Sequence, residues 1–326
     1  MKKLIEDFTK HISQSLQIGK DSQLSTCNKT IQQVLICGLG GSGIGGTVLA
    51  QVVSNDSLIP VLVNKDYKIP QFVNPNTLVV VCSYSGNTEE SLEMLEQAEA
   101  KNAEIACICS GGQLAEIAKN KNYNLILIPG GNPPRAAFGL AFPALFCLLN
   151  HYGIISDYTA EFNRAITIID QEESNITELA ISATEALYKK IPVIYADANY
   201  EGVAVRFRQQ INENSKMLCW HHVVPEMNHN ELVGWRTINE ELAVVIFRNE
   251  DDYYRTQKRI EVNKTVFEKY TNTIIELYSK GNTRLERSLY LIHLGDWISY
   301  FLAEKNGVDV VEVDVITHLK NELAKI

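Results

Sequence analysis

Short apolar runs alternate with helical patterns along this chain, and they do so in two successive series. From residue 31 the order is IQQVLIC, a helix from about Gly45, PVLV, TLVVVCSYS, a helix from about Asn87, EIACICS, a short helix and NLILIP. Runs without a polar face, spaced by helices, predict strands buried on both sides, which is the signature of a doubly wound parallel sheet. The second series starts at IPVIYAD and continues through a helix from about Asn199, LAVVIFR, a helix near Asp251, TIIELYS and a long helix over LERSLYLIHLGDWISYFLAE. Between them RAAFGLAFPALFCLLNHYG is nearly apolar on all sides, as suits a helix sandwiched between the halves and kinked at Pro143. The fold class expected is α/β with two doubly wound parallel sheets, divided near residue 150 into residues 1–150 and 151–326. At 326 residues two domains are also the natural prior. The last stretch, VDVITHLKNELAKI, reads as a helix with Ile316, Leu319 and Leu323 on one side.

Composition excludes several classes. The 30 Lys and Arg against 39 Asp and Glu give a net charge of -9, which argues against general nucleic-acid binding. No apolar run approaches the ~20 residues of a membrane helix. The N-terminal MKKLIEDFTKHISQSL carries Phe8, Ile12 and Leu16 at helical spacing among charges, so it reads as an amphipathic helix and not as a signal peptide, and a cytoplasmic location is expected. Seven cysteines lie mostly in apolar runs with no C-x-x-C pair, so core thiols are expected, without a metal centre.

The loop GLGGSGIGG, Gly38 to Gly46, follows an apolar run and meets the glycine pattern of dinucleotide sites. A nucleotide site should also offer Asp or Glu at the end of its second strand. Here PVLV is followed by Asn64, with Asp66 two residues on, which weakens that reading. The third strand instead ends in SYSGNT, where Ser83, Ser85 and Thr88 can donate to phosphate oxygens while a helix N-terminus supplies N–H groups. With Gly41 and Ser42 on the neighbouring loop, the pattern describes a cradle for a compact terminal phosphate, because ligands of open parallel sheets collect at the carboxyl ends of strands. By pattern alone the same residues could cap an ordinary helix.

GLGGSGIGG, SYSGNTEE, GGNPPRAAFG and NENSK followed by NHNELVGW resemble, in content and order, the bifunctional phosphoglucose/phosphomannose isomerases of the sugar isomerase (SIS) superfamily. The resemblance runs from about residue 30 to the C-terminus; SYSGNT alone indicates an SIS domain, and the later pair narrows it to this branch. It implies two flavodoxin-like SIS domains, the first with the phosphate cradle and the second with a catalytic base and a histidine loop. It further implies a homodimer that interconverts glucose 6-phosphate or mannose 6-phosphate with fructose 6-phosphate, without metal, nucleotide or other cofactor. Glu213 of INENSK matches the family's base for the carbon proton, although by pattern alone it is a surface carboxylate on a helix with the stripe Val203, Phe207 and Ile211. His229 matches a ring-opening histidine supplied by the partner subunit. His221 and His222 are read as structural.

Pro133 and Pro134 place a helix start with Asn132 as its cap, and a cation in that first turn opposes the helix dipole, so Arg135 reads as serving an anion. In the family the matching arginine stabilises the enediolate; the bland alternative is a salt bridge to one of the surplus carboxylates. Lys320 matches a lysine of the last helix. The hydroxyl expected shortly before it is replaced by Val310, Val311 and Val313, unless Thr317 is its counterpart. The rival readings are a non-catalytic SIS module that binds a sugar phosphate as a regulator, a nicotinamide dehydrogenase, and an amino-sugar isomerase or synthase.

Overall fold

The computed structural model describes residues 1–323 and 325. Helices α1 (Lys2–Glu6) and α2 (Phe8–Asp21) lead into β1 (Gln33–Cys37), α3 (Gly40–Val52), β2 (Val61–Asn64), β3 (Thr77–Ser83), α4 (Glu89–Ala100), β4 (Glu104–Cys109), α5 (Gly112–Lys121) and β5 (Asn124–Leu127). Helices α6 (Phe138–His151) and α7 (Thr159–Leu187) follow. The second half contains β6 (Ile191–Asp197), α8 (Glu201–Gln210), β7 (Trp220–Val224), β8 (Leu242–Arg248), α9 (Tyr254–Phe267), β9 (Ile274–Tyr278), α10 (Arg284–Asn306) and α11 (Asp314–Leu323). The first sheet has the order β2-β1-β3-β4-β5 and the second β7-β6-β8-β9, and all their pairings are parallel.

Strand β3 is buried along its whole length, and its side chains alternate between two cores. Val79 and Val81 join Leu35, Ile105 and Cys107 beneath α4 and α5. Leu78, Val80 and Cys82 join Val34, Ile36 and Ile108 on the face covered by α3 and α6. This two-sided burial is why the strands read as continuous apolar runs. All seven cysteines are free thiols, and burial pushes the Cys37 thiol up to about 12.

Strand β7 is missing from the sequence-derived series, and helices α3 and α7 also differ from the sequence reading. Helix α3 begins at Gly40, five residues before the expected start, because the glycine loop is itself the helix's first turn. A Cβ on Gly43 would lie 2.1 Å from the Gly38 carbonyl oxygen, so the tight approach of strand end to helix requires glycine there. The 29-residue α7, which runs along α10, has no counterpart in the sequence-derived order. Helix α6 packs on α2 and α3 with Pro143 inside it, and its Phe142 and Phe146 rings meet Phe162 of α7 edge-on.

Helix α10 is buried on nearly every side. The Thr283 hydroxyl accepts from the Glu286 N–H while the Glu286 carboxylate accepts from the Asn282 N–H, and Gly307 ends the helix in the left-handed conformation. Helix α11, by contrast, buries no residue, and Ile316, Leu319 and Leu323 are exposed. No helix among the described residues is long and apolar enough to cross a membrane.

Beyond β8, Asp252 is buried, and burial, with Asp197 and Asp251 nearby, pushes its carboxyl up to about 6. The folded chain therefore holds this proton to a higher pH than the unfolded chain, whose aspartates titrate near 4. The group opposes folding above pH 6, and the penalty fades as pH falls towards 4. Asp252→Asn should raise Tm more at pH 8 than at pH 4.5; thermal melts at both values check it.

Candidate functional site

The carboxyl edge of the first sheet carries the predicted cradle. Ser42 Oγ accepts from the Tyr84 N–H at 2.9 Å, joining the β1 loop to the β3 loop. Ser83 Oγ accepts from the Gly86 N–H at 3.1 Å and shares a 2.8 Å hydrogen bond with Thr88 Oγ1. Ser85 Oγ accepts from the Asn87 N–H at 3.2 Å. Ser42 and Ser85, fixed through a lone pair, keep a proton to donate, while the Ser83–Thr88 pair spends one of its two protons internally. Thr88 precedes α4 but makes no side-chain capping bond, since its hydroxyl is turned to Ser83. Gly41, Ser42, Ser83 and Tyr84 share one cleft with Pro134, Ala137 and Phe138. Gly41 approaches so closely that an added Cβ would lie 3.2 Å from the Arg135 N.

Arg135 lies in a 3-10 turn, Pro134–Ala136, and not in the first turn of α6, which starts at Phe138. Asn132 does not cap it; the Asn132 N–H donates instead to the Tyr84 hydroxyl. The arginine is 3% exposed, and all three of its nitrogens donate to groups from the second half of the chain. Nε donates to Asn214 Oδ1 at 2.7 Å, Nη1 to Glu213 Oε2 at 3.3 Å, and Nη2 to the carbonyls of Val310 at 2.6 Å and Val311 at 3.2 Å. Burial disfavours the charged guanidinium and pulls its pKa down, while Glu213, Asp309 and Glu312 pull the other way.

Glu213 reaches this position through a change of helix type. After α8 the chain makes a turn of π-helix, Ile211–Ser215, which buries Ile211, Asn214 and Ser215 and leaves the Glu213 side chain 28% exposed beside the arginine. Such insertions often mark functional sites because they re-aim successive side chains. Lys216 then takes a left-handed conformation, and its Nζ donates to the carbonyls of Glu213 at 2.6 Å and Glu312 at 2.7 Å. Burial and the neighbouring Arg135 both lower the Lys216 pKa.

The structure thus brings Arg135 and Glu213 together, and Pro134, next to the arginine, lines the cleft of the cradle. It leaves two predicted residues apart. His229 ends a 3-10 turn, Glu226–His229, and is exposed. Lys320 is exposed on α11. Neither bonds to Arg135, Glu213 or the cradle among the described residues. The valines at 310 and 311 do lie at the site, through main-chain carbonyls, whereas Thr317 Oγ1 donates to the Val313 carbonyl inside α11. His221 is strand-borne on β7, its pKa lowered by burial and Arg208, with Nε2 at 3.7 Å from Glu201.

Sequence reasoning missed the support beneath the arginine. Arg206 donates to both carboxylate oxygens of Asp296, at 2.9 and 2.7 Å, and to the Arg135 carbonyl, and its guanidinium lies 4.4 Å from the centre of the Phe138 ring. Asp296 also accepts from Gln210. The signal available in the sequence was Arg206 beside Phe207 of the apolar stripe, one turn before Gln210.

Comparison with known proteins gives two family matches: the SIS domain over residues 29–151, and the bacterial phospho-glucose isomerase C-terminal SIS domain over residues 176–323. The bifunctional phosphoglucose/phosphomannose isomerase of Caldicellulosiruptor bescii is 36% identical, covering 99% of this chain and 98% of that protein. The Aquifex aeolicus protein of the same name is 36% identical over 90% of each. In fold, the chain resembles the C-terminal domain of glucosamine-fructose-6-phosphate aminotransferase from Francisella tularensis, with a TM-score of 0.77 at 17% identity, covering 96% of this chain and 98% of that one.

Gly86 has φ +70°, and a Cβ there would lie 1.8 Å from the Gly111 carbonyl oxygen. Gly86→Ala should therefore distort the SYSGNT turn and lower affinity for inorganic phosphate at least tenfold in calorimetric titration. Gly153→Ala, also at positive φ but with open space around it beyond α6, should keep wild-type binding.

Proposed function

The chain belongs to the bifunctional phosphoglucose/phosphomannose isomerase family, and we propose that it interconverts glucose 6-phosphate and mannose 6-phosphate with fructose 6-phosphate through an enediolate. The observation that carries the mechanism is the Arg135–Glu213 pair, 3.3 Å apart, with Pro134 beside the arginine lining the cleft that holds Ser42 and Ser83.

Moving a carbonyl between C1 and C2 requires an open sugar chain, a base for the carbon proton, stabilisation of the enediolate and return of the proton to the neighbouring carbon. No step consumes an electron acceptor. In this reading Gly41, Ser42, Ser83, Ser85 and Thr88 hold the phosphate, and Glu213 removes and returns the proton. Arg135, already beside the base, stabilises charge that develops only during reaction, which is how an electrostatic group raises kcat. The two aldoses differ only at C2 and share one enediol, so rotation about C2–C3 accommodates both without a second base.

His229 opens the ring from the partner subunit of a homodimer, with Lys320 completing the substrate contacts. What supports this is the exposure of His229 and of the apolar Leu218, Val233 and Ile238 in the same region, a surface of the kind that a second subunit covers. The enzyme works in the cytoplasm. A non-catalytic regulator would need the cradle but no carboxylate beside a buried arginine, so the pair favours catalysis.

A coupled assay for fructose 6-phosphate should show turnover of both aldoses. Glu213→Gln should reduce turnover by about 10²–10⁴-fold, the usual contribution of a positioned base, with sugar-phosphate binding retained; near-normal turnover would assign the base elsewhere. Arg135→Ala should lower kcat far more than it raises KM in steady-state kinetics. The reverse pattern would make it a ground-state binding residue.

A further inference from the structure

The Nε–H of Arg135 points away from the cleft, into the π turn. Its acceptor, Asn214 Oδ1 at 2.7 Å, belongs to a side chain with no exposed surface. The other end of that amide, Nδ2, donates to Ser299 Oγ at 3.0 Å, and Ser299 Oγ donates its single proton to the Asp296 carbonyl at 2.8 Å. Directionality then leaves one satisfied arrangement. With its proton committed to the carbonyl, the Ser299 hydroxyl can only accept from Asn214, so the amide must turn its NH₂ to Ser299 and its oxygen to the arginine. Ser215 Oγ donates to the Ser299 carbonyl at 2.7 Å and pins the same turn to α10.

We propose that Asn214 is the positioning residue for Arg135 in the isomerisation: its amide, oriented by Ser299, fixes the guanidinium through Nε so that Nη1 faces Glu213 and the reacting carbons while Nη2 stays on the Val310 and Val311 carbonyls. The inference rests on the isomerase reading above. The rigid reference for the arginine is α10, although the arginine itself sits in an irregular turn between two glycines and α6. Glu213 and Asn214 are consecutive in the π turn, so one backbone segment places the base with its carboxylate and the electrostatic group with the next residue's amide. A displacement of about 1 Å at such a contact can cost on the order of 10²-fold in rate.

The test is a double-mutant cycle read in kcat and KM. Asn214→Ala should lower kcat by about 10²-fold with KM for the sugar phosphate changed less than about twofold, since the cradle is untouched. Ser299→Ala, which removes only the group that orients the amide, should lower kcat in the same way by a smaller factor, and it stands in should Asn214→Ala not fold. Lysine has no Nε–H to be held, so in an Arg135→Lys background Asn214→Ala should lower kcat little further. Equal losses in both backgrounds, or a raised KM at unchanged kcat, would overturn the proposal. Nitrogen-15 NMR supplies a readout independent of turnover: the Arg135 Nε–H resonance should exchange slowly with solvent in the wild type and rapidly in Asn214→Ala. Persistent protection in that variant would refute the placement of Asn214. A wild type without isomerase activity would instead refute the functional reading, with the resonance still deciding the contact.

Discussion

The site depends on a guanidinium taken out of water. A cation as buried as Arg135 is costly unless every donor is satisfied, and here Asn214, Glu213, Val310 and Val311 divide its bonds among them. These partners come from the π turn and from the segment before α11, about 80 and 175 residues further along the chain. The arginine therefore acts as the common point at which three distant segments meet. Buried ion pairs are poor sources of net stability because desolvation offsets most of the Coulomb attraction. Aliphatic residues of similar volume would serve the fold as well, so stability alone does not account for the cluster.

The two sheets were legible in the sequence because strands covered on both faces have no polar side, and the runs around β1, β3, β4, β6 and β8 show this plainly. Helix α7 escaped notice for an equally physical reason. Its buried residues Phe162, Ala165, Ile169, Ile176, Ala180, Ala183 and Leu187 do recur at helical spacing, but three of them are alanines set among many charges, so the stripe carries little apolar bulk. The start of α3 was misplaced because glycine lowers helix propensity, while here the close packing of Gly43 on Gly38 overrides it. At the site, Arg135 and Glu213 were readable as residue types in motifs. Their pairing was not, because the π turn breaks the helical register on which the Val203, Phe207 and Ile211 stripe was reckoned. The carbonyls of Val310 and Val311 carry no side-chain signature at all, so a segment that looked like a departure from the expected pattern touches the arginine through its backbone.

The same layered plan gives the two sheets opposite chemistry at corresponding edges. Both have a central pair of parallel strands, β1 beside β3 and β6 beside β8, whose carboxyl ends open onto helices. At the first edge the loops supply glycine N–H groups and the hydroxyls of Ser42, Ser83, Ser85 and Thr88, with Glu89 and Glu90 following in the first turn of α4. At the second, Asp197 ends β6, and Asn249, Glu250, Asp251 and Asp252 follow β8. The raised pKa of Asp252 registers how crowded with negative charge that edge already is. A phosphate brought there would meet Asp197 and Asp252 at close range, and like charges in a partly buried setting repel strongly. Arg287 offsets part of this through Asp251 at 3.1 Å and Glu250 at 3.2 Å, leaving those donors occupied. That edge is thus inhospitable to an anion, and the second half of the chain instead reaches Arg135 through the π turn after α8. The Arg135 turn of the first half and the π turn of the second meet where these two versions of one architecture face each other.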